Sequence, residues 1–266
     1  MKRVVKGPEP PSLLDYRDAF HHSTWESMKD DAAHHGDLAY QDCRAQALAD
    51  QHCLCAYCER TIEPDTPHRY RVEHFHSKAD RSGQHNWALD WQNMLVCCDG
   101  GEQEGSWAEP LPENLSCDAA KNYHEQRGHL AAPVEEALLN PLELPAFPNL
   151  FWFDKATCTL HPNAESCASA GVDTSKVQRT LDMLQLNCQR LTRLRHKILI
   201  NIDQNKKVLR QKHIPLEEMG AQLVRRYFAS GCPEFFTSLR CCLGQCAEEQ
   251  RSEEHTSELQ SHELIS

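Results

Sequence analysis

The sequence predicts an α+β protein that is mostly α-helical, with a small core organised by metal. Three observations predict this class. Apolar residues recur at spacings of three and four within residues 12–51 and again after residue 173, which is typical of helices. Residues 53–123 are instead broken into short pieces by turn residues. This middle stretch is rich in cysteine and histidine, and such segments are usually organised around a metal ion.

Length and composition limit the class of protein. The chain has 266 residues and a hydrophobic content of 40%, enough for one or two domains with a buried core. No run of about 18 apolar residues occurs, so we expect no membrane-spanning helix. Residues 1–8 are basic but lack the apolar stretch of a signal peptide, which predicts a cytoplasmic protein. Fourteen cysteines without an export signal indicate reduced thiols and metal ligands rather than a disulfide scaffold.

The charge is unevenly distributed along the chain. The net charge of −11 argues against a protein that coats nucleic acid by bulk charge alone. Residues 248–266 contain six glutamates against the single arginine Arg251, whereas lysine and arginine concentrate in residues 176–213. The basic segment is therefore a candidate phosphate-facing stripe that the net charge conceals.

The first predicted unit, residues 1–52, is an N-terminal arm followed by helices that pack on the core. Proline and glycine make residues 1–12 an extended arm. Three apolar groups at helical spacing then predict helices between Ser12 and Gln51, and Asp37 is the predicted cap of the last one.

The second predicted unit, residues 53–130, is the metal-organised core. Residues 69–75 predict a short strand, and residues 87–95 predict a strand or turn that leads to Cys98. Residues 99–116 have the composition of an insertion loop.

The third predicted unit, residues 131–247, begins as a proline-rich connector. Within it, residues 150–153 and 157–160 flank a turn and predict a hairpin. The rest of the unit is predicted to be helical.

Capping residues and prolines divide this helical region. Asp173 is the predicted cap of one long helix that continues through Ile202, and Pro215 and Pro233 start two further helices. Residues 248–266 are predicted to be a disordered acidic tail. From Arg251 onward the tail resembles a translated sequencing adapter, so we exclude it from the fold and the function.

Four cysteines have the spacing of a zinc site. Cys55 and Cys58 form a C-x2-C knuckle, whose tight turn delivers two of the four tetrahedral ligands that zinc prefers. Cys98 and Cys117 are the best-placed partners further along the chain. Other ligands remain open at this stage: Cys53, Cys97, His52, His68, His76 and His85.

A carboxylate-histidine pair at the end of a predicted strand is the second chemical feature. His74 has an ordinary pKa of about 6.5, so its imidazole can take a proton from water near neutral pH. On a regular strand Glu73 would face the opposite side, and only a loop or bulge would let both side chains approach one metal. Alone, the pair is more often a surface feature, and Asn93 alone is more often a turn cap.

Asp118 directly follows the candidate ligand Cys117. A carboxylate held rigidly at such a point suits Mg²⁺ or Mn²⁺, which prefer oxygen ligands. The alternative is that Asp118 caps a helix. Lys121, one turn further on, and Lys78 are candidate phosphate-binding residues, or they are simply solvated.

These residues together resemble a known family. Glu73-His74, Asn93 and Cys117-Asp118-x-x-Lys121, framed by the four cysteines, resemble an HNH endonuclease of the zinc-bound ββα-metal class. The longer pattern, which includes Cys98-Asp-Gly-Gly, is similar to the PtuB family of HNH effector nucleases from Septu and some retron anti-phage systems. The resemblance extends over about residues 1–245.

The resemblance implies roles for individual residues. It implies His74 as the general base, Asp118 as a ligand of a catalytic Mg²⁺ or Mn²⁺, and Glu73 as the second ligand. Asn93 would brace the loop that bears His74, and the zinc would be structural. Asp118 stands where many HNH enzymes have histidine or asparagine, and an aspartate can bind Mg²⁺ as well.

The resemblance also implies partners. The substrate would be nucleic acid, with DNA expected, and the C-terminal helical region would dock on an ABC/SMC-like ATPase of the PtuA type. The basic helices could equally be core helices of one domain with a solvated face. Two other functions stay open: a non-catalytic zinc-binding adaptor in such a complex, or a nuclease directed at RNA.

Overall fold

The computed structural model describes residues 1–80, 83–103, 109–130, 133–229, 231–244 and 246–247. This part of the chain forms ten α-helices and two antiparallel two-stranded sheets, which confirms the prediction of an α+β, mostly α-helical protein. None of these helices combines the length and the apolar character that crossing a membrane requires. The tail predicted for residues 248–266 lies outside the described residues.

The described helices and strands follow one another in five groups. The helices are α1 Pro11–Ala19, α2 Trp25–Lys29, α3 Gly36–Asp50, α4 Cys117–Gln126, α5 Val134–Ala137, α6 Ala164–Ser169, α7 Thr174–Met183, α8 Gln189–Gln211, α9 Leu216–Phe228 and α10 Phe236–Leu243. The strands are β1 Tyr70–His74, β2 Met94–Cys98, β3 Phe151–Asp154 and β4 Thr159–Pro162. The groups are α1–α3, β1–β2, α4–α5, β3–β4 and α6–α10.

The N-terminal arm is fastened to the rest of the protein by hydrogen bonds. The ammonium of Lys6 donates to the carbonyls of Trp91 and Met94 at 2.8 and 2.7 Å. The indole of Trp91 donates in return to the carbonyl of Gly7 at 3.1 Å. The arm therefore crosses the turn that leads into β2.

Three helices follow the arm, as the apolar spacing predicts, and α1 and α2 both pack on α3. The prediction that Asp37 caps α3 is wrong. The helix begins at Gly36, and the preceding residue, His35, adopts a left-handed conformation with φ of 61°. Gly36 lies so close to α2 that a Cβ there would be 2.3 Å from the carbonyl oxygen of Met28, so the close approach sets the helix start.

Strands β1 and β2 pair antiparallel, with Glu73 opposite Leu95 and His74 opposite Met94. The strand predicted at residues 69–75 is thus confirmed, and residues 91–98 combine a 3₁₀ turn with β2. Helix α4 follows β2 in the chain and packs on it. Three segments that are separate in the sequence, β1, β2 and α4, therefore lie together in the structure.

The hairpin predicted in the connector is confirmed as β3 and β4. The single long helix predicted from Asp173 to Ile202 is wrong, because the chain leaves helical geometry between α7 and α8. Asn187 in this break accepts from the backbone N–H of Leu160 at 2.8 Å and donates to its carbonyl at 2.7 Å. These side-chain bonds attach the break to β4.

Other helix boundaries agree with the sequence. Asp173 caps α7 by accepting from the backbone N–H of Ser175, and Pro215 is the N-cap residue of α9. Helix α10 begins three residues after Pro233.

One cluster of buried apolar side chains joins most of the described chain. It extends from Met1 through α1–α3, the β1–β2 pair and the β3–β4 hairpin to Leu191 and Phe235. A smaller cluster lies beneath α9 and contains Met219, Leu223 and Val224. Helix α7 and the first turn of α8 therefore share the core of the β1–β2 pair.

Candidate active site and metal centre

The first cysteine pair lies in a tight turn fixed by the backbone. The N–H of Glu59 donates to the carbonyl of Cys55 at 3.0 Å, and the N–H of Cys55 donates to the carbonyl of Arg60 at 2.9 Å. The N–H of Ala56 donates to the carbonyl of Val96 at 3.0 Å, which ties the turn to β2. The turn therefore presents Cys55 and Cys58 beside the end of that strand.

The other two cysteines come from the ends of neighbouring elements. Cys98 is the last residue of β2, and Cys117 is the first residue of α4, with φ of 57°. The backbone N–H of Cys117 donates to the carbonyl of Leu184 at 2.9 Å, so the break between α7 and α8 helps to hold this cysteine.

The four thiols converge in the interior. Their Sγ atoms all lie within 4.8 Å of one another, and all four residues are buried. Three of the sulfur-sulfur distances are 3.6, 3.7 and 3.8 Å. A tetrahedral zinc ion about 2.3 Å from each sulfur would separate the sulfurs by about 3.8 Å. The arrangement therefore fits a four-thiolate metal site, and zinc is the ion such sites commonly hold.

The cysteines and histidines left open by the sequence do not join this group. Among the described residues, the four cysteines are the one group of three or more His, Cys, Asp or Glu side chains whose ligand atoms lie close enough together to hold a metal. Burial raises the pKa of Cys97 to about 12, so its thiol stays protonated. Hydrogen bonds from the thiols of Cys117, Cys55 and Cys58 lower the pKa of Cys98 well below its usual value, which favours a thiolate in the cluster.

Glu73 lies in β1 with its carboxylate buried among polar groups. The ammonium of Lys121 donates to Oε1 at 2.6 Å, and the hydroxyl of Tyr57 donates to the same oxygen at 3.2 Å. Burial alone would raise the pKa of Glu73, but Lys121 and a hydrogen bond with Asp118 together lower it. The carboxylate is therefore held ionised in the interior.

Asp118 meets Glu73 from the first turn of α4. Its Oδ1 accepts from the amide of Asn122 at 3.1 Å, and its Oδ2 lies 3.6 Å from Nε of Arg71. Burial and then the charge of Glu73 raise the pKa of Asp118 well above its usual value, so the pair shares a proton when no cation is bound. A divalent cation would replace that proton, and two convergent carboxylates suit Mg²⁺ or Mn²⁺.

His74 projects from the other side of β1. The register of the strand is regular through Glu73 and His74, without the bulge that would bring both side chains to one point. The structure therefore joins Glu73 with Asp118 but places the imidazole on the opposite face of the strand end. Its ring packs edge-on against Trp25, with centroids 4.9 Å apart.

The surroundings of His74 define its protonation. Nε2 lies 3.1 Å from the carbonyl oxygen of Ala88, and because a carbonyl only accepts, Nε2 carries the hydrogen. Within the described residues Nδ1 has no hydrogen-bond partner, so its lone pair is available. Burial lowers the pKa of His74 to about 4, which keeps the ring neutral at physiological pH. The side chain is thus a neutral base with a fixed tautomer.

Asn93 holds the loop that follows His74. Its Oδ1 accepts from the backbone N–H of His76 at 2.7 Å. Its Nδ2 donates to the carbonyl of His76 at 3.0 Å and to that of Trp87 at 2.9 Å. Three bonds from one buried amide thereby fasten both ends of the loop.

The two lysines selected as candidate phosphate ligands differ in the structure. Lys121 is 3% exposed and donates to Glu73 and to the carbonyls of His74 and Phe75, at 2.9 and 2.8 Å. All three of its N–H donors are used, so phosphate binding by Lys121 stays a prediction that would require one of these bonds to be exchanged. Lys78 lies at the surface and pairs with Glu26 at 2.5 Å, so only this lysine faces solvent.

Three neighbours of the carboxylates were not selected from the sequence: Tyr57, Arg71 and Asn122. Arg71 lies two residues before Glu73 and so shares its face of β1, a signal that strand alternation offers. Tyr57 lies inside the C-x2-C turn, and Asn122 lies one helical turn after Asp118. The sequence alone gives no reason to connect Tyr57 or Asn122 with Glu73. In the structure, the cysteine cluster brings the segments that carry them close to β1.

Comparison with known proteins places this site in context. No protein-family model matches the chain. A curated protein of Escherichia coli, whose name provisionally describes it as an HNH endonuclease of retron Ec83, is 33% identical over 251 residues. The aligned region covers 90% of this chain and 92% of the relative. The similarity therefore spans nearly the whole of both proteins.

Proposed function

Because this chain belongs to the family of retron HNH endonucleases, we propose that it cleaves phosphodiester bonds in DNA with one divalent metal ion. The β1–β2 pair and α4 would form a ββα-metal nuclease core. The observation that carries the proposal is the meeting of Glu73 and Asp118 at the end of the strand that bears His74.

The two metal sites would have different tasks. Cys55, Cys58, Cys98 and Cys117 would hold a structural zinc that joins three chain segments and stabilises a core with short strands. Glu73 and Asp118 would hold Mg²⁺ or Mn²⁺, which supplies stabilisation of negative charge on the reacting phosphate and the leaving oxygen.

His74 would generate the nucleophile. Its Nδ1 lone pair accepts a proton from water, while the bond from Nε2 to Ala88 keeps the ring in one orientation. Because Glu73 and His74 point to opposite faces of β1, the bound phosphodiester would have to lie across the end of the strand, with the imidazole on one side and the carboxylates on the other.

The cationic groups at the rim would position the substrate. Arg71 reaches Asp118 and also pairs with the surface residue Glu102, and Lys78 is solvent-facing. Both can exchange a carboxylate partner for a substrate phosphate. Lys121 instead fixes Glu73 and the backbone of the strand end from inside.

A plasmid-cleavage assay tests the proposed function. Wild-type protein should nick plasmid DNA with Mg²⁺ but not with a chelator of Mg²⁺. His74→Ala should remain folded and lose about 10²- to 10⁴-fold in rate, because general-base catalysis contributes that much. His161→Ala, which removes a histidine of β4, is the matched control and should cleave normally.

Other outcomes separate the remaining functions. Equal cleavage by His74→Ala and wild type would refute the assigned base. A folded His74→Ala protein that keeps its biological effect would favour the adaptor function. Preferential Mg²⁺-dependent cleavage of RNA in parallel reactions would identify an RNA-directed nuclease.

We further propose a role in anti-phage defence together with an ABC/SMC-like ATPase. The relative's association with a retron supports the defence role. The exposed face of α8 is the candidate docking surface, because it combines Lys197 and Lys207 with the exposed apolar residues Ile200 and Val208. Co-purification of the chain with such an ATPase, and its loss in Ile200→Glu, would test this contact.

A further inference from the structure

Two arginines of α8 lie in the interior beside the cysteine cluster. Arg190 and Arg195 are each only 2% exposed. A guanidinium is almost always charged, and a buried charge is costly unless an opposite charge or several acceptors compensate it. The catalytic arrangement described above uses neither residue.

Arg190 clamps the segments that carry two of the cysteines. Its Nη2 donates to Oγ of Ser116 at 2.6 Å, and that oxygen lies 3.5 Å from Sγ of Cys117. On the other side, a Cβ at Gly101 would be 2.5 Å from Nε of Arg190, so the loop after Cys98 has room for the guanidinium only because position 101 is glycine.

Arg195 approaches the cluster from the side of Cys58. Its guanidinium carbon lies 5.6 Å from the ring centroid of Phe235, whose backbone N–H donates to the carbonyl of Glu59 at 2.9 Å. Glu59 directly follows Cys58. Arg195 therefore packs against Phe235, and Phe235 is hydrogen-bonded to the residue that follows the C-x2-C turn.

Local acceptors do not compensate the charge of Arg195. Its one hydrogen bond within the described chain is a 3.4 Å contact from Nη1 to Asn187, and Nε has none. No carboxylate of the described residues forms an ion pair with it. Glu59, the one carboxylate among the main charges that act on Arg195, is already paired with the α-ammonium of Met1 at 3.2 Å and accepts from Thr237 at 2.6 Å.

A metal-loaded cluster would supply the missing negative charge. Four thiolates around a divalent ion carry a net charge of −2. Burial lowers the pKa of Arg195, and Cys58 is the first of the charges that act in the opposite direction. Cys58, Cys98 and Cys117 are likewise among the charges that raise the pKa of Arg190 against the effect of burial.

We propose that Arg195, with Arg190, neutralises the buried four-thiolate metal centre, so that α8 is an electrostatic part of that centre. The inference rests on the proposed structural zinc. The proposal gives the C-terminal helical region a role in the nuclease core. The positive charge that stabilises the buried thiolates comes from a helix about 70 residues beyond Cys117.

Zinc affinity of the full chain tests this proposal. Competition with a chromophoric zinc chelator gives the apparent zinc dissociation constant of each protein, and circular dichroism checks folding. Arg195→Met should weaken zinc binding by about 10- to 100-fold, the usual effect of removing a group that supports metal ligands. Arg195→Lys keeps the charge and should stay closer to wild type than to Arg195→Met.

Arg193→Met is the matched control. Arg193 lies on the same helix, but its side chain is 58% exposed and pairs with the carboxylate of Glu109. Its zinc affinity should equal that of wild type. If Arg195→Met is insoluble, Arg195→Gln takes its place under the same criteria.

The outcomes distinguish this inference from the proposed function. A wild-type protein that binds no zinc would overturn both the structural zinc and this inference. Wild-type affinity in Arg195→Met would overturn the inference alone. Equal losses in Arg195→Lys and Arg195→Met would show that charge is not the cause and would also overturn it.

Discussion

Glu73 and His74 occupy consecutive positions of one strand and meet different environments. Glu73 contacts Lys121, Tyr57 and Asp118, while the imidazole of His74 is held by a carbonyl and the edge of an indole. Strand alternation explains the division, because neighbouring side chains point to opposite faces. An ionised carboxylate and an imidazole kept neutral by burial therefore occupy neighbouring positions of the strand.

Lys121 is the candidate residue whose contacts differ most from those that a phosphate ligand would have. We expect Lys121→Met to lower the cleavage rate by about 100-fold, because small displacements of catalytic groups cost about that much. Lys78→Met, which breaks a surface ion pair, should change the rate by less than about fivefold. Rates are compared at a temperature where circular dichroism shows both variants folded.

The comparison also tests where Lys121 acts. A positioning residue should change the maximal rate, whereas loss of a phosphate ligand should mainly raise the substrate concentration for half-maximal rate. A folded Lys121→Met protein with wild-type kinetics would contradict the positioning role.

At the residue scale, short motifs allow candidates for the chemistry to be selected from the sequence. The carboxylate-histidine pair and the aspartate after Cys117 could be selected as candidates from their order alone. The ion pair between Glu73 and Lys121 could not, because it joins residues 48 positions apart and depends on how α4 meets β1. The burial of Lys121 likewise follows from packing that no local pattern contains.

At the scale of elements, the loop after β1 is fastened by a bridging histidine. Nδ1 of His76 lies 2.6 Å from Glu135, at the start of α5, and Nε2 lies 2.8 Å from Asp80. Burial lowers the pKa of His76, but the bonds to Asp80 and Glu135 outweigh burial and raise it. The loop therefore holds His76 between two carboxylates that favour the charged form of its ring.

This bridge predicts a pH-dependent stability. Because the folded-state pKa of His76 is raised above the unfolded value of about 6.5, its stabilising effect is complete below that pH. The effect is lost as pH rises through the folded pKa. The unfolding midpoint of wild type should therefore exceed that of His76→Gln by more at pH 6 than at pH 9.

The same two thermal measurements on His85→Gln provide the control, because that histidine pairs with Asp90 from a more exposed position. A difference between wild type and His76→Gln that does not shrink from pH 6 to pH 9 would argue against the ionic bridge.

The loop between Cys98 and Cys117 makes a second prediction at this scale. Gly100 has φ of 64°, and a Cβ there would lie 2.3 Å from the carbonyl oxygen of Ser116. Gly128 has a similar φ of 68° with no atom near its Cβ position. Gly128→Ala should cost only the conformational strain of about 1–2 kcal/mol, whereas Gly100→Ala should cost clearly more.

Denaturant unfolding of the zinc-loaded proteins measures both costs. Gly100→Ala should also release zinc more readily, since the displaced backbone adjoins Cys117. Equal losses of stability in the two variants would mean that the close approach at Ser116 is not a constraint.

The boundaries of elements show what periodicity can and cannot predict. The apolar spacing predicts helices on both sides of residues 184–188. Because the spacing continues through these residues, it predicts one uninterrupted helix where the structure has two. The break exists because Asn187 bonds to β4 and Leu184 bonds to Cys117. Long-range hydrogen bonds of this kind override a local helical pattern and leave no mark on its spacing.

For the whole molecule, the cysteine cluster links parts that are distant in sequence. It joins the turn after α3, the end of β2 and the start of α4, and Arg190 of α8 contacts the segments next to Cys98 and Cys117. The sequence could predict the mostly helical class and the four cysteines as metal ligand candidates. It could not predict that α7 and the first turn of α8 share one core with β1 and β2.

The central claim is that Glu73 and Asp118 form a divalent-cation site beside His74. Titration of zinc-loaded protein with Mn²⁺, followed by electron paramagnetic resonance, tests it most directly and does not depend on an activating partner. Wild type and His74→Ala should each bind one Mn²⁺ that Mg²⁺ displaces, and the Glu73→Gln, Asp118→Asn double variant should not. A wild type without this site, or a double variant that binds Mn²⁺ as tightly, would contradict the claim.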